Sequence, residues 1–369
     1  MVKKKNVLQL VPTVEIGGLE KMVLDYSHHI KNHGYMCVVA SLTCSGELIP
    51  DFKKYDIPVY PLCQKNGFDF NVIKQLKKII RDNNIEVVHS HNYASLIYAA
   101  CCKIFSPGLQ LIHTTHAIRV SNIKFKHVIV EKVLSFFCSS NIAVGDYVKS
   151  IMVKNLKYNP DKVQVIYNGI DLAKFDCYKI NTVQRLKKDI GIGEKSKIAG
   201  IVSRLSQVKN HNILIDAFST VVQHEPDAVL LLIGGGVLLN KLQDQVANMG
   251  LQDKVIFLGP RDDVAELLSI IDVFVLPSDS EGLSLALLEA AASNCPIIAT
   301  DVGGNGEIVK DSYNGYIIPK RDQNAISDSF LLLFKDDDKR KTMGENSRQL
   351  VKDKFSIETM VQGYINLIQ

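Results

Sequence analysis

The chain has 369 residues, 46% of them hydrophobic and 22% charged, a balance that excludes disordered, collagen-like and low-complexity classes. At about 150 residues per domain the length implies two domains, each able to bury a core of its own. No run reaches the roughly 18 unbroken apolar residues of a spanning helix. The opening Met1–Asn6 runs into a short apolar stretch ended by Pro12 without a small-residue cleavage site, so a cytosolic chain is expected. The net charge of +4 hides an asymmetry. Residues 1–180 carry 23 Lys and Arg against 14 Asp and Glu, and residues 181–369 carry 20 against 25. A basic half joined to an acidic half implies that one half meets an anionic ligand or surface. The eight cysteines form no C-x-x-C pair, and reduced, mostly buried thiols are the expectation.

Taken in chain order, Asn6–Val11 reads as a strand, followed by a glycine-containing loop and a helix over about Gly18–Asn32. Short apolar runs recur at Met36–Ser41, Ile85–Val88, Gln110–Thr114, Asn141–Val144 and Lys162–Ile166. Helical patterns at Phe70–Asn83 and Ser95–Phe105 lie between them. A polar break at about Asn168–Lys195 separates this half from a second, where the pattern restarts. There Lys197–Val202, Ala228–Ile233, Lys254–Leu258, Asp272–Leu276 and Pro296–Ala299 read as strands, with helices at Asn210–Gln223 and Asn240–Asn248. Alternating strand and helix predicts an α/β architecture of two Rossmann-like, doubly wound domains facing across a cleft. The expected boundaries are 1–175, 176–350, and a segment 351–369 that packs back on the first domain.

Five places carry candidate chemistry, all after strands, where doubly wound sheets bind ligands. Gly17-Gly18 opens the first helix and can bring free amides to an anion, or can simply make a tight turn. It is not G-x-G-x-x-G, which argues against a dinucleotide site. Arg204 and Lys209 occupy one loop after the first strand of the second half. They can converge on a phosphate, or stand as two solvated cations. Gly234-Gly235-Gly236 offers another close backbone approach or a flexible turn. Glu281 and Gly282-Leu283-Ser284 precede a Leu/Ala helix that contains Glu289. A carboxylate on such a face needs a partner, and a bidentate acceptor there suits vicinal hydroxyls such as those of ribose. Equally, Glu281 could cap the helix and Glu289 could be salt-bridged or at an exposed edge. Finally His89, His91, His113 and His116 follow two strands of the first half, with His116 placed farthest out to touch substrate. No cysteine or carboxylate nearby completes a zinc set.

Glu281 and Glu289 in E-x7-E spacing, Arg204 and Lys209 in R-x4-K, and Gly17-Gly18 after the first strand together resemble the family-4 retaining glycosyltransferases of GT-B fold. Val165–Asp171 and Ala299–Ile308 match that family's usual wording too, and the likeness runs in order over nearly the whole chain. The resemblance implies transfer of a hexose from a nucleotide diphosphate, expected to be a UDP-sugar, to a glycan or lipid-linked acceptor of a cell-surface polysaccharide or glycolipid. By that likeness Arg204 and Lys209 hold the diphosphate, Glu289 the ribose, and Glu281 with the Gly282–Ser284 amides the sugar. Gly17 and Gly18 would frame the reacting centre with His116 beside the sugar. A front-face displacement needs no protein nucleophile and no metal, and the acidic clusters Asp262-Asp263 and Asp336–Asp338 read as surface loops. Asn294 stands where the family often has Gly, a position expected to be left-handed. A nucleotide-sugar epimerase or a non-catalytic nucleotide-sugar sensor are the competing readings.

Scattered lysines without interleaved aromatics argue against nucleic acid. The basic, apolar stretch Ile118–Phe137 fits either an anionic inner-membrane surface or a core-packed helix.

Overall fold

The computed structural model describes residues 4–116, 125–176 and 180–368. The chain divides into two units, Met1–Gly169 with Ile357–Gln369, and Ile170–Ser356. Each is built on a wholly parallel sheet. In such a sheet helices cover both faces, so strands read as unbroken apolar runs rather than alternating ones. The strand Val229–Ile233, sequence VLLLI, has every residue buried and is of this kind.

The first unit's strands are β1 Val7–Val11, β2 Cys37–Ser41, β3 Val59–Pro61, β4 Val87–His91, β5 Gln110–Thr115, β6 Ser140–Ala143 and β7 Val163–Val165. They lie in the order β3-β2-β1-β4-β5-β6-β7. The chain reverses its direction of winding between β1 and β4, which is where doubly wound sheets collect polar side chains. Here Gln9, His89, Ser90, His91, His113, Thr114 and Thr115 are all buried within strands. Phe70–Asp82 packs Val72, Ile73, Leu76 and Ile79 inward, and Asp69 caps it by accepting from the Asn71 amide at 2.9 Å. The closing helix Ile357–Ile368 also belongs to this unit. Its Tyr364 hydroxyl lies 3.1 Å from Thr114 Oγ1, and Gln110 Nε2 donates to the Leu367 carbonyl at 2.6 Å.

The second unit holds β8 Ile198–Val202, β9 Val229–Ile233, β10 Val255–Gly259, β11 Val273–Leu276, β12 Ile297–Thr300 and β13 Gly315–Ile318, ordered β10-β9-β8-β11-β12-β13. Winding reverses between β8 and β11. Sequence periodicity misses β3 and β13, which have three and four residues and are only partly buried.

Three further points depart from or refine the sequence expectations. Cys44 and Cys63 are paired in a disulfide rather than reduced, while Cys37, Cys102 and Cys295 are free and buried as expected. Asp336 is not in a free loop: its side chain caps the helix Asp337–Lys354 by accepting from the Lys339 amide at 2.9 Å. Asn294 does adopt the left-handed conformation, φ 58°, after the helix Leu285–Ala292.

Candidate functional site

The loop leaving β8 carries Arg204 and Lys209, and its shape is set by neighbours rather than by its own sequence. Leu205 N donates to Gly235 O at 2.9 Å, and Leu238 N to Leu205 O at 3.2 Å. A Cβ on Gly234 would stand 2.2 Å from Ser203 O, and one on Gly236 would stand 2.4 Å from Leu205 O. The triple glycine is therefore a tight backbone cradle for the Arg204 loop, not a flexible turn. Ser203 Oγ lies 3.0 Å from His211 Nε2, tying the loop to the helix His211–His224. Arg204 itself is exposed and Lys209 is half-buried.

The loop leaving β11 meets it. Asp279 N donates to Val208 O at 2.8 Å. Asn210, left-handed at φ 52°, donates from Nδ2 to Pro277 O at 3.0 Å and to Asp279 Oδ1 at 2.8 Å. Arg321 grips Asp279 side-on through Nε and one Nη of its guanidinium, at 3.0 and 2.5 Å. This double donation holds the Asp279 carboxyl below its usual range. At the centre of the two loops, Lys209 Nζ donates to Glu281 Oε1 at 2.6 Å, with only 18% and 11% of the two side chains exposed. Residues 72 apart in sequence are thus brought together as a charge pair shielded from water, where electrostatic terms weigh more than at an open surface.

Glu281 does not cap the following helix. Ser284 occupies the cap without a side-chain bond, and the helix begins at Leu285. The first-turn amides thus receive no cap from the Ser284 side chain, and a helix N-terminus of this kind favours an anion. Gly282 O accepts from Gly304 N at 2.8 Å, and a Cβ on Gly303 would sit 2.0 Å from Glu281 O. Glu289 lies just over one turn along the helix and is half-buried rather than enclosed by the apolar face, and it is engaged by a partner. Its carbonyl accepts from Ser293 Oγ at 3.0 Å.

In the first unit, Gly17 caps the helix Gly18–Asn32 with no side-chain bond, and a Cβ there would meet the Glu20 carboxylate at 2.3 Å. The preceding turn is braced by Glu47, whose carboxylate accepts from Ile16 N at 3.3 Å. His116 is buried, with its backbone N–H donated to Asn92 Oδ1 at 3.0 Å. Its ring Nε2 lies 2.9 Å from His91 Nδ1, and His91 Nε2 lies 2.8 Å from Gln9 Oε1. Burial pushes His113 down to about 4 and His116 down to about 3, and holds His89 and His91 well below the usual histidine range. All four rings are neutral at pH 7. Among the described residues no group of three or more His, Cys, Asp or Glu is placed to hold a metal ion.

Asn210, Asp279, Arg321 and Gln9 were not singled out from the sequence. The signal for Gln9 was present, as the one polar residue inside the apolar run VLQLV.

Two family models match the chain: Glycosyltransferase Family 4 over residues 16–174, and Glycosyl transferases group 1 over residues 182–350. Among curated relatives, the Escherichia coli UDP-Gal:alpha-D-GlcNAc-diphosphoundecaprenol alpha-1,3-galactosyltransferase is 30% identical, covering 78% of this chain and 76% of its own. The Bacillus anthracis N-acetyl-alpha-D-glucosaminyl L-malate synthase is 29% identical, covering 85% and 82%. Among solved structures, Anabaena Alr3699/HepE in complex with UDP superposes with a TM-score of 0.88 at 20% identity over 98% of each chain.

Two parallel-sheet units define a two-domain, Rossmann-like GT-B fold. Within that class, the chain belongs to glycosyltransferase family 4.

Proposed function

We propose that this chain is a retaining, metal-independent hexosyltransferase that moves a sugar from UDP to a glycan or lipid-linked acceptor in cell-surface polysaccharide or glycolipid synthesis. The observation that carries the reading is the water-shielded Lys209–Glu281 pair, at 2.6 Å, in the loops leaving β8 and β11. Lys209 and Arg204 neutralise the diphosphate and the charge that develops on it as the bond to the sugar breaks, a role that magnesium fills in other transferases. Glu281 contacts the sugar, the Gly282, Leu283 and Ser284 amides lie along sugar and phosphate, and Glu289 takes the ribose hydroxyls. Gly17, Gly18 and His116 are the first unit's contribution to sugar recognition. The bond from the anomeric carbon to the phosphate oxygen breaks on the face where the acceptor oxygen bonds. The acceptor's proton passes to that phosphate oxygen, so no protein nucleophile is required. The names of the E. coli relative, with UDP-Gal, and of the Anabaena structure, with UDP, support uridine as the base.

For the acceptor, a cytoplasmic enzyme peripheral to the inner membrane face fits. Residues 118–124 of the stretch that prompted this lie outside the described ones. The helix Phe125–Ser135 and the residue after it expose Ile129, Val133 and Phe136, with Lys132 also exposed. That mixture suits an anionic lipid surface.

The test is a thermal-shift panel of UDP-, GDP- and ADP-sugars with and without EDTA. A bound donor at a hundredfold its Kd stabilises the fold by about 2.7 kcal/mol. A UDP-sugar should raise the Tm equally in EDTA. A shift by GDP- or ADP-sugars alone, or one abolished by EDTA, would overturn the reading.

A further inference from the structure

Gln9, His91 and His116 sit on or beside three neighbouring strands, β1, β4 and β5, and form one hydrogen-bonded row. Gln9 and His91 are 0% exposed and His116 is 7% exposed. Burial keeps both rings neutral, so each carries a single N–H. That constraint makes the row directional. Gln9 Oε1 can only accept, so His91 bears its proton on Nε2, at 2.8 Å, and presents a lone pair at Nδ1. His116 must then donate to it from Nε2, at 2.9 Å, which leaves His116 Nδ1 as a bare lone pair. This nitrogen is buried and has no partner among the described residues. A buried acceptor left without a donor is costly, so a group outside the row is needed to satisfy it. Were the Gln9 amide turned end for end, every bond would reverse and Nδ1 would become a donor instead.

We propose that Gln9, acting through His91, is a positioning residue that fixes the tautomer of His116 and thereby makes His116 Nδ1 an acceptor for a sugar hydroxyl. The tautomer itself follows from the row with Gln9 Oε1 facing His91, and only the identity of the hydroxyl rests on the function proposed above. Two separate strands thus determine what a third offers to a ligand, with neither Gln9 nor His91 touching it.

The experiment is long-range proton–nitrogen NMR of the full chain labelled with 15N-histidine, with His116 assigned by its loss in His116→Asn. In the wild type His116 should show one tautomer, protonated at Nε2 and bare at Nδ1. Gln9→Met is close in size but removes the acceptor, and should give a mixture of tautomers. Gln9→Glu restores an acceptor and should restore the single tautomer. Wild-type His116 protonated at Nδ1, or an unchanged spectrum in Gln9→Met, would overturn the proposal. If Gln9→Met does not fold, the wild-type tautomer still decides. UDP-glucose, but not UDP, should then shift the Nδ1 resonance. A correct tautomer without that shift would refute the sugar contact while leaving the relay intact. Unchanged UDP affinity in Arg204→Ala would instead count against the donor site.

Discussion

Lys209 and Glu281 meet at 2.6 Å with little of either exposed, so a substitution on one side changes what the other can bind. Glu281→Gln keeps the shape but removes the counter-charge, leaving Lys209 wholly available to a diphosphate. UDP affinity, read by calorimetry, should be retained or tightened in this variant. Transfer from the donor chosen by the thermal-shift panel should fall by about two orders of magnitude, the scale of losing one charge-stabilising contact in a transition state. The buried histidines give a second residue-scale expectation. His113 and His211 are pushed down to about 4 and His116 down to about 3, each mainly by burial. Their folded values lie below the unfolded value near 6.5, so the unfolded chain binds protons first as the pH falls. The stability they contribute is complete above pH 6.5 and is lost from there toward pH 4. Each loses about 1.4 kcal/mol per pH unit in that window. Glu131, pushed up to about 7 by burial, and Asp272, also pushed up by burial, act in the opposite sense against the more numerous histidines. Urea unfolding at pH 7.5, 6 and 5 should show falling stability, with a shallower fall in His211→Asn. A flat or rising profile would contradict the assignment of neutral buried rings.

At the scale of elements, the two donor-side loops are held by backbone contacts that tolerate no side chain. Gly303 has φ +59° and lies against the Glu281 carbonyl, so Gly303→Ala meets both a left-handed strain and a 2.0 Å clash. This variant should lose UDP affinity more than tenfold and lower the Tm, whereas Gly306→Ala, with open space around it, should do neither. For Gly234, Gly235 and Gly236 the sequence leaves a close backbone approach and a flexible turn both open, and it assigns Gly303 no framing role; the contacts that decide both come from distant backbone. Strands such as β1, β8 and β9 were readable, since burial on both faces turns a parallel strand into an apolar run. The short β3 and β13 lack that run. The Asp279–Arg321 and Asn210–Asp279 contacts join residues 42 and 69 apart, and no local pattern encodes them. Glu281 as a helix cap was a local inference, and it gave way to the long-range attraction of Lys209.

Over the whole molecule, the sign of each half and the place of its chemistry do not coincide. The acidic half carries Arg204 and Lys209, so under the proposed function the local loop rather than the net charge would select an anionic donor. Under the same proposal the excess of Lys and Arg in residues 1–180 would act on an anionic lipid surface. Liposomes containing anionic lipid should therefore sediment the protein at low salt, with binding lost as ionic strength rises and reduced in Lys132→Glu/Phe136→Ser. Equal sedimentation with neutral lipid would refute an electrostatic surface. The central claim is narrower: the loops after β8 and β11 hold a nucleoside diphosphate through Arg204 and Lys209. Calorimetric titration of UDP tests it most directly. The wild type should bind, and Arg204→Ala and Lys209→Ala should each lose at least tenfold in affinity while retaining the wild-type circular dichroism. Wild-type affinity in both variants would contradict it.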